Sequence, residues 1–254
     1  LERGGAIRSP IDSVSEHRTP ASATGGAPEG RGEKYVWKEI PGSSHDLLRR
    51  RILALPPGLR LLDLGSAGGH LGRAVRDQCS YLAGVEPDRS LPTSAREGYD
   101  DWREIDAMHA GDWDQPFDVV VCADVLEHLA SPDAMLARIQ AWLHPDGILL
   151  VSLPNIANIS IRTDLLFGRF RYTERGILDR SHLSFYTRSS ARQLLENTGF
   201  RVTAVEPTAM PYELALPGLA RSPLIAPIRA FAQTTARAWP TLFGYQFVFE
   251  AVRR

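Results

Sequence analysis

The stretch "LLDLGSAGGHLG", residues 61–72, constrains this chain more than any other. An apolar run that stops in clustered glycines reads as a short buried strand, a tight turn and then a helix. Glycine there lets the backbone take conformations closed to other residues and lets other groups come close. In an open α/β sheet such a turn lies at the carboxyl ends of the strands, where ligands settle. Farther on, Glu86 closes the next strand in "GVEPD". A carboxylate there can accept both hydroxyls of a ribose, so turn and acid together point to a nucleoside-containing ligand.

Strand and helix patterns alternate along the rest of the chain. Helices are predicted at 44–55 (capped by Ser43 or Ser44), 69–78, 90–97, 132–143 and 190–198, the last capped by Thr187 and stopped by Gly199. Strands are predicted at 60–64, 81–86, 102–105, 118–123, 148–153, 201–206 and 245–252, with "PDG" at 145–147 as a turn. This alternation implies an α/β fold, a doubly wound and mostly parallel sheet covered on both faces. Residues 1–33, rich in Gly, Pro, Ser, Ala and charge, are expected to form a disordered tail, because they cannot bury enough apolar surface to offset ordering. One domain is expected over 34–254.

Composition removes several alternatives. The net charge is −1 and no long basic run exists, which argues against a nucleic-acid partner. No stretch approaches the ~20 apolar residues of a membrane span, and no signal-peptide core is seen, so a cytoplasmic protein is expected. Cys79 and Cys122 sit in apolar stretches without metal-like spacing and read as a reduced, buried pair. No His/Asp group has metal-ligand spacing along the chain, so no metal is expected.

A dinucleotide would want G-x-G-x-x-G, but Ala67 occupies the second glycine position. The spacing suits a shorter ligand with an amino-acid tail, whose ammonium group Asp63 and backbone carbonyls would bind. "LLDLGSAGGHLG", "GVEPD", "FDVVVCADVLEHL" and "LHPDGILLVSLPN" resemble, in order and spacing, the motifs of class I S-adenosylmethionine-dependent methyltransferases. That resemblance implies a Rossmann-like seven-stranded sheet with an antiparallel last strand, and S-adenosyl-L-methionine as cofactor. It also implies that Gly65, Ser66, Ala67 and Gly68 wrap the methionine part, with Asp63 beneath. Glu86, with Pro87, would hold the ribose; Asp106, with Ala107, the adenine; and Asp124 would line the mouth or cap the "VLEHL" turn. The segment "LDRSHLSFYT" at 178–187 is similar to one in a bacterial subgroup found with cell-surface glycan pathways. This points to a sugar or glycan intermediate, or a similar small metabolite, as acceptor.

An alcohol acceptor benefits from a base within hydrogen-bond reach. The candidates are His182, with Asp179 to orient it, and His128, which follows the cofactor-mouth strand; the alternative for either is a packing role. His45 and His70, on predicted helices, read as structural. The substrate side is expected in an insertion at 155–186, rich in donors such as Asn155, Asn158, Arg162 and Arg175. In 219–239, Leu224, Ile228, Phe231, Thr235 and Trp239 recur at helical spacing, although Pro223 and Pro227 interrupt the first turns. That face would pack on the sheet or form a lid, or rest on a membrane surface with Arg221, Arg229 and Arg237 toward headgroups. Two rival functions remain at this point, a nicotinamide-dependent oxidoreductase on a related sheet and a non-catalytic cofactor-binding subunit.

Overall fold

The computed structural model describes residues 40–212 and 222–254. The tail expected at 1–33 and the proposed headgroup residue Arg221 lie outside the described residues. Strands β1 (Leu59–Leu64), β2 (Cys79–Val85), β3 (Asp101–Arg103), β4 (Phe117–Ala123), β5 (Leu143–Pro154), β6 (Phe200–Pro207) and β7 (Gln246–Arg253) form one seven-stranded sheet, ordered β3-β2-β1-β4-β5-β7-β6. β1 pairs in parallel with both β2 and β4, so strand order reverses there, and the crevice at their carboxyl ends is the natural ligand position. β7 runs antiparallel between β5 and β6. The expected fold class holds.

Successive residues of the central strands feed opposite cores, as a pleat requires. Leu62, Leu64, Val120 and Cys122 join one cluster, while Leu61, Val119 and Val121 join the other. Helix α1 (Ser44–Leu53) starts on Ser43, whose hydroxyl accepts the Asp46 N–H, and buries Leu47, Leu48 and Ile52. Its Arg51 reaches Glu250 on β7 and Glu206 on β6, at 3.2 and 3.4 Å. α2 (His70–Val75), α3 (Pro132–Trp142) and α5 (Arg188–Asn197) cover the sheet near their predicted places. Thr187 and Ser190 form a capping box at the start of α5.

Several expectations need correction. The helix predicted at 69–78 ends at Val75 and tightens into a 3₁₀ turn at Arg76–Gln78. The one predicted at 90–97 shrinks to a 3₁₀ turn, Thr93–Arg96, between Pro92 and a Gly98 at φ +89°. "PDG" is a bulge inside β5, whose pairing with β4 jumps between Phe117–Leu143 and Val119–Ile148. The insertion at 155–186 also contains a helix that no periodicity announced, α4 (Ile159–Leu166), which starts on Asn158. Asn155 and Asn158 both donate to the Gly244 carbonyl, at 2.8 and 2.9 Å, and both are buried, so they brace the insertion rather than face a substrate.

Helix α6 (Ile225–Ala238), followed by α7 (Pro240–Phe243), forms despite the prolines. Pro223 precedes it, and Pro227 falls in the first turn, where backbone N–H groups have no intrahelical partner to lose. Its buried face is Ala232 and Ala236, whereas Leu224, Phe231 and Trp239 are 60%, 72% and 60% exposed. Small side chains bring this helix close, and the larger apolar ones point away from the core.

The glycines at 65–72 make room first for the protein itself. A Cβ at Gly69 would lie 1.9 Å from the Ala95 carbonyl oxygen, and its φ is +67°. At Gly72 a Cβ would meet the Tyr99 hydroxyl at 2.2 Å. Gly69→Ala therefore combines a backbone clash with left-handed strain and should cost at least about 2 kcal/mol. Urea denaturation measures it; a loss under about 0.5 kcal/mol would show that the 93–96 turn yields freely.

Candidate functional site

One cavity of about 290 Å³ opens at the carboxyl ends of β1, β2 and β4. All ten residues assigned above to the cofactor side line it: Asp63, the turn 65–68, Glu86 with Pro87, Asp106 with Ala107, and Asp124. His128 lines it too, as do His45 and His70, which had been read as structural only.

Asp63, next to last in β1, is almost fully buried and accepts the Tyr99 hydroxyl at 2.7 Å. Burial pushes its carboxyl up to about 7; the Tyr99 hydrogen bond opposes this and the nearby Glu86 adds to it. Glu86 accepts the N–H groups of Ala67 and Asp88, at 2.8 and 2.9 Å, one on each oxygen. Each of those oxygens keeps a second lone-pair site for a ligand hydroxyl. Burial also raises this carboxyl, against those two bonds. Ala67 (φ +46°) and Asp124 (φ +55°) hold left-handed conformations without being glycine, a local cost of about 1 kcal/mol each.

Asp106 caps the 3₁₀ turn Ala107–His109 through the Met108 N–H at 2.8 Å, with its side chain about half exposed. The Asp124 carboxylate accepts the Ser152 hydroxyl from β5 and the Gln246 amide from β7, the latter at 2.8 Å. The cap position of the following 3₁₀ turn, Leu126–His128, is Val125.

His182 does not line the cavity; it stands behind His128, with the two rings edge to face at 4.8 Å. Nδ1 of His182 lies 3.0 Å from the Ile177 carbonyl, and Nδ1 of His128 lies 3.1 Å from that of Ser181. A carbonyl only accepts, so both Nδ1 atoms carry the proton and both Nε2 atoms offer a lone pair when the rings are neutral. Burial, then the neighbouring His128, lowers the pKa of His182. Asp179 was expected to orient the His182 ring, but Ile177 meets its Nδ1. The Asp179 carboxylate instead accepts the N–H and hydroxyl of Ser181 and acts on the imidazole through its charge.

Glu127 was passed over in the sequence, although it lies inside "DVLEHL". Its carboxylate and the two imidazoles bring ligand-type atoms within 4.8 Å of one another. Chain spacing did not reveal this grouping, because His182 lies beyond β5 in the sequence and meets the other two only in the fold. Its backbone carbonyl accepts the N–H groups of Leu183 and Ser184, at 2.8 and 3.1 Å, which joins the two segments. Tyr99, Ser152 and Gln246 were also missed; only Gln246, polar at the head of an apolar strand, left a sequence signal. Beyond His182 stand Phe185 at 6.2 Å and, against it, Phe170 and Tyr172. Burial raises both thiols, that of Cys79 to about 11, so neither is a thiolate at neutral pH.

The methyltransferase domain family profile matches residues 36–205. The chain belongs to that family. Its sheet is the Rossmann-like seven-stranded form of the S-adenosylmethionine-dependent methyltransferases, to which a Mesorhizobium loti protein of that description is similar (18% identity, TM-score 0.55, covering 84% of this chain and 99% of that one). A magnesium protoporphyrin IX methyltransferase from Synechocystis PCC 6803, solved with S-adenosylhomocysteine (SAH), is similar at 18% identity and TM-score 0.56, covering 83% and 82%. A [4+2]-cyclase shares the fold at 20% identity and TM-score 0.55, covering 82% and 81%. Among curated relatives, a ubiquinone biosynthesis O-methyltransferase of Azorhizobium caulinodans is 33% identical over 39% of this chain and only 41% of its own length. That of Ruegeria pomeroyi is 29% identical over 65% and 68%. Among the described residues of this family member, no helix is long and apolar enough to cross a membrane.

The raised Asp63 carboxyl gives a pH test. Below about pH 4 both folded and unfolded chains hold this proton. Above that the unfolded carboxyl ionises first, so this contribution to stability is lost as pH rises toward about 7, where the folded group also ionises. Asp63→Asn, which mimics the neutral acid, should gain stability relative to wild type between pH 5 and pH 8. Parallel melting-temperature differences across that range would reject the raised carboxyl.

Proposed function

We propose that this chain transfers a methyl group from S-adenosylmethionine to a hydroxyl oxygen of a small acceptor, with a sugar or glycan intermediate as the acceptor class. The observation that carries the reading is the His128 imidazole on the cavity wall with that of His182 against it, each Nδ1 tied to a carbonyl and each Nε2 left as the basic atom. The donor set fits the cofactor. Asp63 and the 65–68 backbone suit an ammonium-bearing tail, Glu86 keeps acceptor capacity for ribose hydroxyls, and Asp106 stands at the adenine end. When bound, S-adenosylmethionine supplies a sulfonium methyl that an oxygen nucleophile takes, leaving a neutral thioether.

What the chain must add is alignment and a way to make a hydroxyl nucleophilic. His128, on the cavity, faces the acceptor, and His182 supports it from behind. Asp124 is pinned at the mouth from β5 and β7. The aromatic side chains of Phe170, Tyr172 and Phe185 suit the flat face of a ring, whether a sugar or a phenol. The O-methyltransferase relatives support oxygen as the acceptor atom. Family membership disfavours the oxidoreductase rival, and the cyclase of like fold keeps a different chemistry as the alternative. The exposed Leu224, Phe231 and Trp239 support peripheral contact with a lipid surface, which vesicle sedimentation tests.

Isotope-labelled S-adenosylmethionine, offered with sugar and phenol acceptors, should give a labelled O-methyl product; binding without transfer to any acceptor would favour the alternative. Glu86→Ala should weaken SAH binding by about 1–3 kcal/mol in calorimetry, through lost charge-assisted hydrogen bonds. An unchanged dissociation constant removes Glu86 from the site. His128→Ala should lower kcat by about 10²–10⁴-fold with cofactor affinity intact, and His182→Ala, which removes its support, should lower kcat less. Asp179→Asn should be milder. Wild-type turnover in a His182→Ala protein that merely melts earlier would make His182 a packing residue.

A further inference from the structure

We propose that Glu127, His128 and His182 bind a divalent first-row transition-metal ion at the acceptor side of the cavity. The inference rests on the reading that the acceptor atom is oxygen, and it names how that oxygen is held. Three side chains from two distant segments converge, one carboxylate and two imidazoles, with ligand-type atoms all within 4.8 Å. Three ligands about 2.1 Å from one ion lie roughly 3–4 Å apart, so small rotations of the side chains close the set. Glu127 and His182 are buried, at 1% and 8% exposure, which is costly for a carboxylate beside an imidazole unless charge is balanced locally.

The second observation is independent of proximity. Metal-ligating histidines commonly give their other ring N–H to a carbonyl or carboxylate, which fixes the tautomer and aims the ligating nitrogen. Here both imidazoles do so, His128 to Ser181 at 3.1 Å and His182 to Ile177 at 3.0 Å. Both carbonyls belong to the 177–181 segment, and the Glu127 carbonyl is bound by the Leu183 and Ser184 N–H groups just beyond it. One loop therefore orients both imidazoles and ties down the backbone of Glu127.

The donor set selects the ion. Mg²⁺ and Ca²⁺ prefer oxygen ligands throughout, whereas imidazole with one carboxylate suits Mn²⁺, Co²⁺ or Zn²⁺. Three protein ligands leave coordination positions open. His128 lies on the cavity wall, so those positions are available to an acceptor hydroxyl. An ion there would lower the hydroxyl pKa and fix its oxygen, with the released proton passing to solvent. The imidazoles would then serve as ligands rather than as the proton acceptor, and His182→Ala would depress turnover in either case.

The test is direct binding to the full chain after chelator treatment and dialysis, with neither donor nor acceptor present. Calorimetric titration with MnCl₂ should show one saturable site. Glu127→Gln and His182→Gln should each weaken it by at least about tenfold, on the scale of losses at ligand shells. Asp63→Asn, in the cofactor part of the cavity, should leave Mn²⁺ affinity unchanged. For the wild-type chain, a visible spectrum with CoCl₂ reports nitrogen ligation without any substitution and guards against variants that fail to fold. Absence of saturable Mn²⁺ binding, affinity untouched by both substitutions, or a Co²⁺ spectrum equal to that of the aquo ion would overturn the proposal. Because no methyl transfer is measured, failure of the oxygen-acceptor reading would appear separately, in the labelling assay.

Discussion

A carboxyl group buried at the end of a central strand must be satisfied from inside the protein, and much of this site follows from how Asp63 meets that demand. Its partner is the Tyr99 hydroxyl, brought from the loop before β3. Tyr99 stacks edge-on against Trp102 at 5.0 Å, and its ring occupies the space where a Cβ at Gly72 or Gly84 would stand. The absence of side chains at those two positions is thus the condition for the hydrogen bond. With the acid fixed, the turn at 65–68 folds over it, Ser66 donates its hydroxyl to the Asp63 carbonyl at 2.7 Å, and Ala67 ties the turn to Glu86.

The fold and the cofactor side were legible because they depend on local order. Apolar runs that end in glycine or an acid place a strand, its turn and its ligand-facing residue within a few positions of one another. Asp63, Glu86, Asp106 and Asp124 each sit at or just beyond a strand end, and the fold needs only parallel pairing to bring them to one cavity. Whether they bind as assigned is a matter for the titrations described above.

The rest depended on side-chain size and on contacts between distant segments. Spacing left the Leu224 and Phe231 face of α6 either packed on the sheet or turned to a lipid surface, and a helix that must come close buries Ala232 and Ala236 instead. Asn155 and Asn158 read as donors for a substrate because a sequence does not show that both point at one carbonyl, Gly244. Glu127 was unremarked for a similar reason. Its neighbours in space come from residues 181–184, and no periodicity links the two stretches.

β7 braces both halves of the cavity region. Gln246 holds Asp124 at the mouth, and Gly244, two residues earlier, anchors the insertion that carries His182. This strand is synthesised after every other element described, yet it enters the sheet between β5 and β6. A nascent chain on the ribosome can assemble β1 to β5 and present the glycine turn while the mouth still lacks its brace. Completion of the site is thereby coupled to synthesis of β7. A truncated product lacking β7 would expose the flank of β5 as an unpaired edge, where it would be open to aggregation and proteolysis rather than to substrate.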